Sequence, residues 1–125
     1  MAIRKYTELI AWQKAIRFVE DVYRVSGHFP KSEQYGLCSQ IRRAVVSIAS
    51  NIAEGQSRRS SREFVQHLSI AYGSLSEVET QLVIAERLQY LGSAQLGDML
   101  DKAAEVGRLI NGLSGSIERK FDTDH

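Results

Sequence analysis

The feature that most limits the fold is a three–four spacing of apolar residues that restarts four times along the chain. Leu9, Trp12, Ile16, Val19 and Tyr23 form the first stripe, with Ser26 as its last step. Such spacing puts residues on one side of a helix and leaves the other side to solvent. The second stripe is Leu37, Ile41, Val45, Ile48 and Ile52, widened by Cys38, Ala44 and Ala49. Phe64, Leu68, Ala71, Leu75, Val78, Leu82 and Ala85 form the third. Leu96, Met99, Ala103, Val106, Ile110, Leu113 and Ile117 form the fourth. No segment alternates at period two for long, and no hairpin dipeptide separates apolar runs. The pattern predicts an all-α fold, an antiparallel up-down-up-down four-helix bundle over a single domain, residues 1–125. The continuous three–four repeat favours left-handed packing.

Local signals place the boundaries. Thr7 is the expected N-cap of the first helix, and Gly27 its left-handed stop. Ser32 is expected to cap a second helix running from about Glu33 to Glu54, ended by Gly55. Ser60-Ser61-Arg62-Glu63 is a capping box, which opens a third helix reaching Leu88 or Gln89. Gly92 should stop it, and Ser93 should cap the fourth. Gly107, Gly112 and Gly115 each cost that helix about 1 kcal/mol relative to alanine, and Phe121–His125 should fray.

Composition narrows the class. The chain has 125 residues, of which 43% are hydrophobic and 25% charged, enough for one core and an ordinary charged surface. No apolar stretch approaches the 20 or so residues that cross a bilayer, and the N-terminus lacks the apolar region of a secretory signal. A lone cysteine, Cys38, forms no internal disulfide and suits a reducing, cytoplasmic setting. The net charge is +1, yet residues 1–62 carry +6 and residues 63–125 carry −5. Such a split orients a protein toward an anionic partner, or lets one half of a subunit meet the other half of its neighbour.

The chemistry of a familiar enzyme is missing. There is no His-Glu-x-x-His motif and no Glu-x-x-His of the di-iron bundles. Cys38 reads as a packed thiol, and the pair Glu63 and His67 as a surface interaction one turn apart. No metal and no cofactor is expected, nor is an enzyme. Gly55-Gln-Ser-Arg-Arg-Ser60 is not a Walker loop, but it leads into a helix N-terminus ringed by Arg58, Arg59 and Arg62, where an anion could bind. Its bland reading is a solvated basic turn. Arg42 and Arg43 add charge on the second helix. They either snorkel from a packed face, pair with acids of the third or fourth helix, or cross a subunit boundary. Asn51 and Glu54 lie at the end of an apolar helix. Asn51 is expected to clamp that end to a neighbouring loop, and Glu54 to answer Arg58 or Arg62. The aromatics Tyr6, Trp12, Tyr35, Tyr72 and Tyr90 exceed what a four-stripe core needs, which points to self-association.

The segment Gln40-Ile-Arg-Arg-Ala-Val-Val-Ser-Ile-Ala-Ser-Asn-Ile-Ala-Glu-Gly55 resembles the four-helix-bundle proteins encoded in bacterial 23S rRNA intervening sequences. Trp12-Gln-Lys-Ala15, Phe29-Pro30, Glu33, Tyr35-Gly-Leu37 and Ile70-Ala-Tyr-Gly-Ser-Leu75 fall in matching order, as do Glu77, Glu79 and Thr80. The resemblance covers residues 6–117. It implies a homo-oligomer, a pentameric ring or barrel. It extends to accessory proteins of diversity-generating retroelements, which bind nucleic acid through basic surfaces. Arg42, Arg43, Ser47, Asn51, Glu54 and Gly55 carry the signature. The expected function is a noncatalytic oligomeric helical scaffold that binds RNA or DNA through phosphates, with Arg58, Arg59 and Arg62 as first contacts and Arg42 and Arg43 as second. The alternative is a protein-interaction or assembly module that binds no nucleic acid.

Overall fold

The computed structural model describes residues 5–124, with side chains described from Tyr6 to Lys120. Helices α1 (Ile10–Ser26), α2 (Leu37–Gln56), α3 (Ser61–Arg87) and α4 (Ser93–Asp124) follow in order, with short 3-10 turns at Lys5–Glu8 and Lys31–Glu33. No strand occurs among the described residues. Each helix packs on the next, α4 returns to α1, and the diagonal pairs do not meet. This is the four-helix bundle that the stripes predict.

The stripes form the core. Phe18, Val22, Ile41, Ile48, Leu75, Val78, Leu82, Met99 and Ile110 are all at most 2% exposed. Burying each such side chain stabilises the fold by about 1.5–3 kcal/mol. Ala15, Ala44, Ala71 and Ala103 are buried between them, and their small side chains let the helices approach closely. The seam between the first and last helices closes with ion pairs. Lys14 meets Glu105 at 3.7 Å and Lys102 meets Asp21 at 3.4 Å across it, with Asp98, one turn back on α4, 3.2 Å from Lys102. The hydrogen bond to Asp98 is the main reason the Lys102 ammonium is held above its ordinary pKa.

Several boundaries differ from the sequence expectation, each for a local reason. Thr7 lies in the first 3-10 turn, and Leu9 occupies the N-cap of α1 with no side-chain cap. Gly27 closes α1 in the right-handed region, φ −64° and ψ −18°. The chain leaves through tight bonds from His28 to Val25 and from Phe29 to Ser26. Ser32 sits in the second 3-10 turn, so α2 starts at Leu37 rather than Glu33. Glu33 acts from outside that helix, its Oε1 accepting the Leu37 N–H at 3.1 Å.

Gly55 does not end α2, which continues to Gln56. At the end of α3 the left-handed residue is Gln89, φ 66°, not Gly92. The Gln89 N–H bonds Glu86 O at 2.9 Å and the Tyr90 N–H bonds Ala85 O at 2.8 Å, the double closure of a Schellman turn. Gly92 lies just ahead of α4 and its carbonyl accepts the Leu96 N–H. Ser93 is inside that helix, and its hydroxyl donates to Glu86. The glycines of α4 do not shorten it, and Phe121–Asp124 keep helical backbone where fraying was expected. Gly107 is buried against Leu75 and Tyr72, so packing offsets its poor propensity. His125 lies outside the described residues.

Candidate functional site

The signature segment runs the length of α2, and its two sides do different jobs. Arg42 points to α1. Its Nε donates to Ser26 Oγ at 2.8 Å, and its Nη2 donates to Tyr23 O at 3.1 Å. The guanidinium lies 4.5 Å from the centre of the Tyr23 ring. A cation at the carbonyl end of a helix meets the negative end of the helix dipole, and its stacking on tyrosine adds to this. Arg42 therefore caps α1 from a neighbouring helix. Among the described residues it forms no ion pair with an acid of α3 or α4, and its Nε and Nη2 are engaged on α1. Cys38 packs beside it, buried, with Sγ 3.6 Å from Ser26 O.

The other side faces α3 as a ridge of residues four apart, Ser47, Asn51 and Gly55. Ser47 Oγ shares a hydrogen bond with Ser74 Oγ at 3.0 Å. Asn51 Nδ2 donates to Ser47 O at 2.9 Å and to Ser47 Oγ at 3.1 Å. Those two bonds turn Asn51 Oδ1 toward His67 Nδ1, 3.0 Å away. Asn51 thus joins two helices through His67 of α3, rather than clamping a helix end to a loop. One turn on, a Cβ on Gly55 would lie 2.8 Å from His67 Cβ and 2.9 Å from Phe64 Cδ1. Here the missing side chain lets two helices touch. Spacing by four of small and polar residues beside the apolar stripe was the available sequence signal for this ridge. His67 and Ser74, its partners, lie 27 residues or fewer away in sequence but on another helix, and only the crossing of α2 on α3 selects them.

The basic turn follows. Arg58 Nη2 meets Glu54 Oε1 at 2.9 Å, one helical turn apart. Its charge is thereby partly spent. Ser60 caps α3, its Oγ accepting the Glu63 N–H at 3.1 Å, while the hydroxyl donates to Glu63 Oε1 at 3.1 Å. Glu63 is thus held by Ser60 and His67 by Asn51, so these two do not form the surface pair read from their spacing. Arg59 and Arg62 are exposed and have no ion pair among the described residues. Arg43 is exposed on α2, away from that turn. It lines an open groove of about 460 Å³ between α2 and α3, together with Tyr35, Gln40, Ser47, Ser74 and Glu77. The five candidate arginines therefore do not form one cluster. Arg42 holds α1, Arg43 lines the groove, and Arg58, Arg59 and Arg62 surround the α2–α3 turn.

Among the described residues, no group of three or more His, Cys, Asp or Glu is placed to hold a metal ion. No described helix is long and apolar enough to cross a membrane. A four-helix bundle with this ridge-and-turn signature defines a class of small helical proteins, and the sequence profile of one family spans nearly all of it. Residues 7–112 match the 23S rRNA-intervening sequence protein family, and the chain belongs to it. The fold is similar to the crystal structure of a protein of unknown function from the S23 ribosomal protein family of Bacteroides thetaiotaomicron VPI-5482. The TM-score is 0.78 at 22% sequence identity, over 84% of this chain and 98% of that one. No curated protein matches the chain.

Proposed function

We propose that this protein is a noncatalytic helical scaffold that acts by assembling with copies of itself. One observation carries the reading. The side of α3 turned away from the core bears aliphatic side chains, with Ile70 53% and Ile84 42% exposed, and Leu88 beyond its end is 51% exposed. A soluble helix normally presents polar residues there, and aliphatic side chains left in solvent among them suit a surface that another chain covers. The family resemblance supports a ring of five. The setting is the cytoplasm, where the packed Cys38 thiol stays reduced. Light scattering at micromolar concentration tests the assembly. A defined multiple of 14.0 kDa is the expected mass, and a 14.0 kDa species alone would reject the reading.

A second reading adds nucleic acid. Arg59 and Arg62, exposed and without ion pairs among the described residues, support phosphate contacts at the α2–α3 turn. Repetition around a ring would make a weak contact multivalent. The resemblance to retroelement accessory proteins, read from the sequence, implies the same. Fluorescence anisotropy with RNA and DNA at several salt concentrations tests it. Binding should weaken in Arg59→Ala/Arg62→Ala across unrelated sequences, with a shallower salt dependence. An intact oligomer that binds neither nucleic acid near physiological salt leaves the assembly module standing alone.

A further inference from the structure

Between Ile70 and Ile84 the outward strip of α3 carries a single charge. Ile70 and Ile84 lie within about 40° of each other around the helix axis. Gly73, Glu77 and Thr80 occupy the strip between them, and Glu77 is its only charged residue. A Cβ on Gly73 would meet nothing within 4 Å, so the centre of the strip is open. The outward strip of α2 is built alike with the opposite sign. Ser39, Arg43, Val46 and Ser50 fall within about 60° of one another. Val46 is 40% exposed, and Arg43 is the strip's one charge.

We infer that the α3 strip of one copy packs on the α2 strip of a second copy, with Glu77 facing Arg43 across the boundary. This rests on the self-assembly reading above and names the face that assembly uses. The occupant is another copy because the two strips complement each other. Each is apolar or small, each has a single charge, and the charges are opposite. The pattern extends to the whole chain. α2 belongs to the half of net charge +6, and α3 from Glu63 onward to the half of net charge −5. Small residues at Ser39, Ser50 and Gly73 let the two backbones approach. Arg43 and Glu77 line one groove in the single copy, yet no ion pair joins them there. Because the α3 strip meets the α2 strip rather than itself, the contact can repeat head-to-tail from copy to copy, and it makes a ring where the rotation closes. Tyr35, 90% exposed at the end of the same groove, stands at the edge of the contact.

A charge swap on the full chain tests this. Arg43→Glu and Glu77→Arg should each put like charges together and raise the concentration at which the assembly dissociates by about tenfold or more. The double variant Arg43→Glu/Glu77→Arg should recover the wild-type mass. Ile84→Lys should dissociate the assembly while leaving the helical circular dichroism intact. An assembled wild type whose mass none of these variants changes would overturn this face and leave the assembly reading standing. A wild type of 14.0 kDa at every concentration would overturn both. Loss of helical signal in the charge variants would also count against the contact, since both side chains are exposed in the single copy.

Discussion

The Tyr90 hydroxyl donates to Glu33 Oε2 at 2.8 Å, while Oε1 of the same carboxylate accepts the Leu37 N–H at 3.1 Å. One side chain thus ties the α3–α4 turn to the α1–α2 turn and caps α2. Tyr90 also packs on buried Phe29, ring centres 5.7 Å apart. The Leu37 N–H first, and the Tyr90 hydroxyl second, hold the Glu33 carboxyl below its ordinary pKa. The bond to Glu33 holds the Tyr90 phenol above its own.

These shifts fix a pH window. Glu33 contributes stability that is present above the unfolded carboxyl value, 4.5, and is lost as pH falls through its lowered folded value. Tyr90 contributes stability that is present below the unfolded phenol value, 10.0, and is lost as pH rises through its raised folded value. Tyr90→Phe should remove the alkaline loss and reduce the acidic one. Denaturant midpoints of both proteins, measured across that range, check this. Curves that stay parallel at both extremes would show that the bond contributes nothing.

Gly36 guards the same carboxylate. A Cβ there would lie 2.7 Å from Glu33 Oε1. Gly36→Ala should push the carboxylate aside and lower the denaturation midpoint, and it should add little in a Glu33→Ala background. Equal losses in both backgrounds would place the cost elsewhere.

Two glycines of helices should respond in opposite directions. Gly112 faces open space in α4, so Gly112→Ala should gain about 0.5–1 kcal/mol from helix propensity alone. Gly55 meets His67 and Phe64 across the α2–α3 contact, and Gly55→Ala should cost about 1–3 kcal/mol through overpacking despite the same propensity gain. Urea unfolding of both variants checks the pair of signs. A third backbone position, Gln89, sits at φ 66°. Gln89→Gly should stabilise by about 1 kcal/mol, because a side chain in the left-handed region carries that penalty.

These positions also mark how far the sequence could be read. The stripes from Leu9 to Ile117 carried the fold, since period and length leave little choice. Ser60 as a cap was legible because its partner Glu63 is three residues away. Gly55 and Gly92 were read as stops because a glycine's local role is visible in sequence, whereas its role as a contact point depends on the opposing helix. Gln89 carries no compositional mark of a left-handed turn, because the Schellman bonds and Tyr90 beyond it set that geometry. Arg42 illustrates the same limit at the site. Its charge suggested an acid or a phosphate, but its partners are a backbone carbonyl, a serine hydroxyl and an aromatic face on α1.

The last prediction concerns Asn51 and His67. Asn51 Nδ2 is committed to Ser47, so its Oδ1 accepts, and His67 must carry its proton on Nδ1 to complete the 3.0 Å bond. Asn51→Ala should cost about 1–3 kcal/mol, because it strands the half-buried imidazole N–H and frees the Ser47–Ser74 pair to shift. Asn51→Asp keeps an acceptor toward His67 but removes the donor to Ser47, so it should lose the link within α2 and keep the link to α3. A double-mutant cycle of Asn51→Ala with His67→Ala separates the two links. A coupling of about 0.5 kcal/mol or more identifies the interhelical bond as an energetic contact. Additive losses would reduce Asn51 to a local feature of α2 and leave Gly55 as the element that sets the crossing.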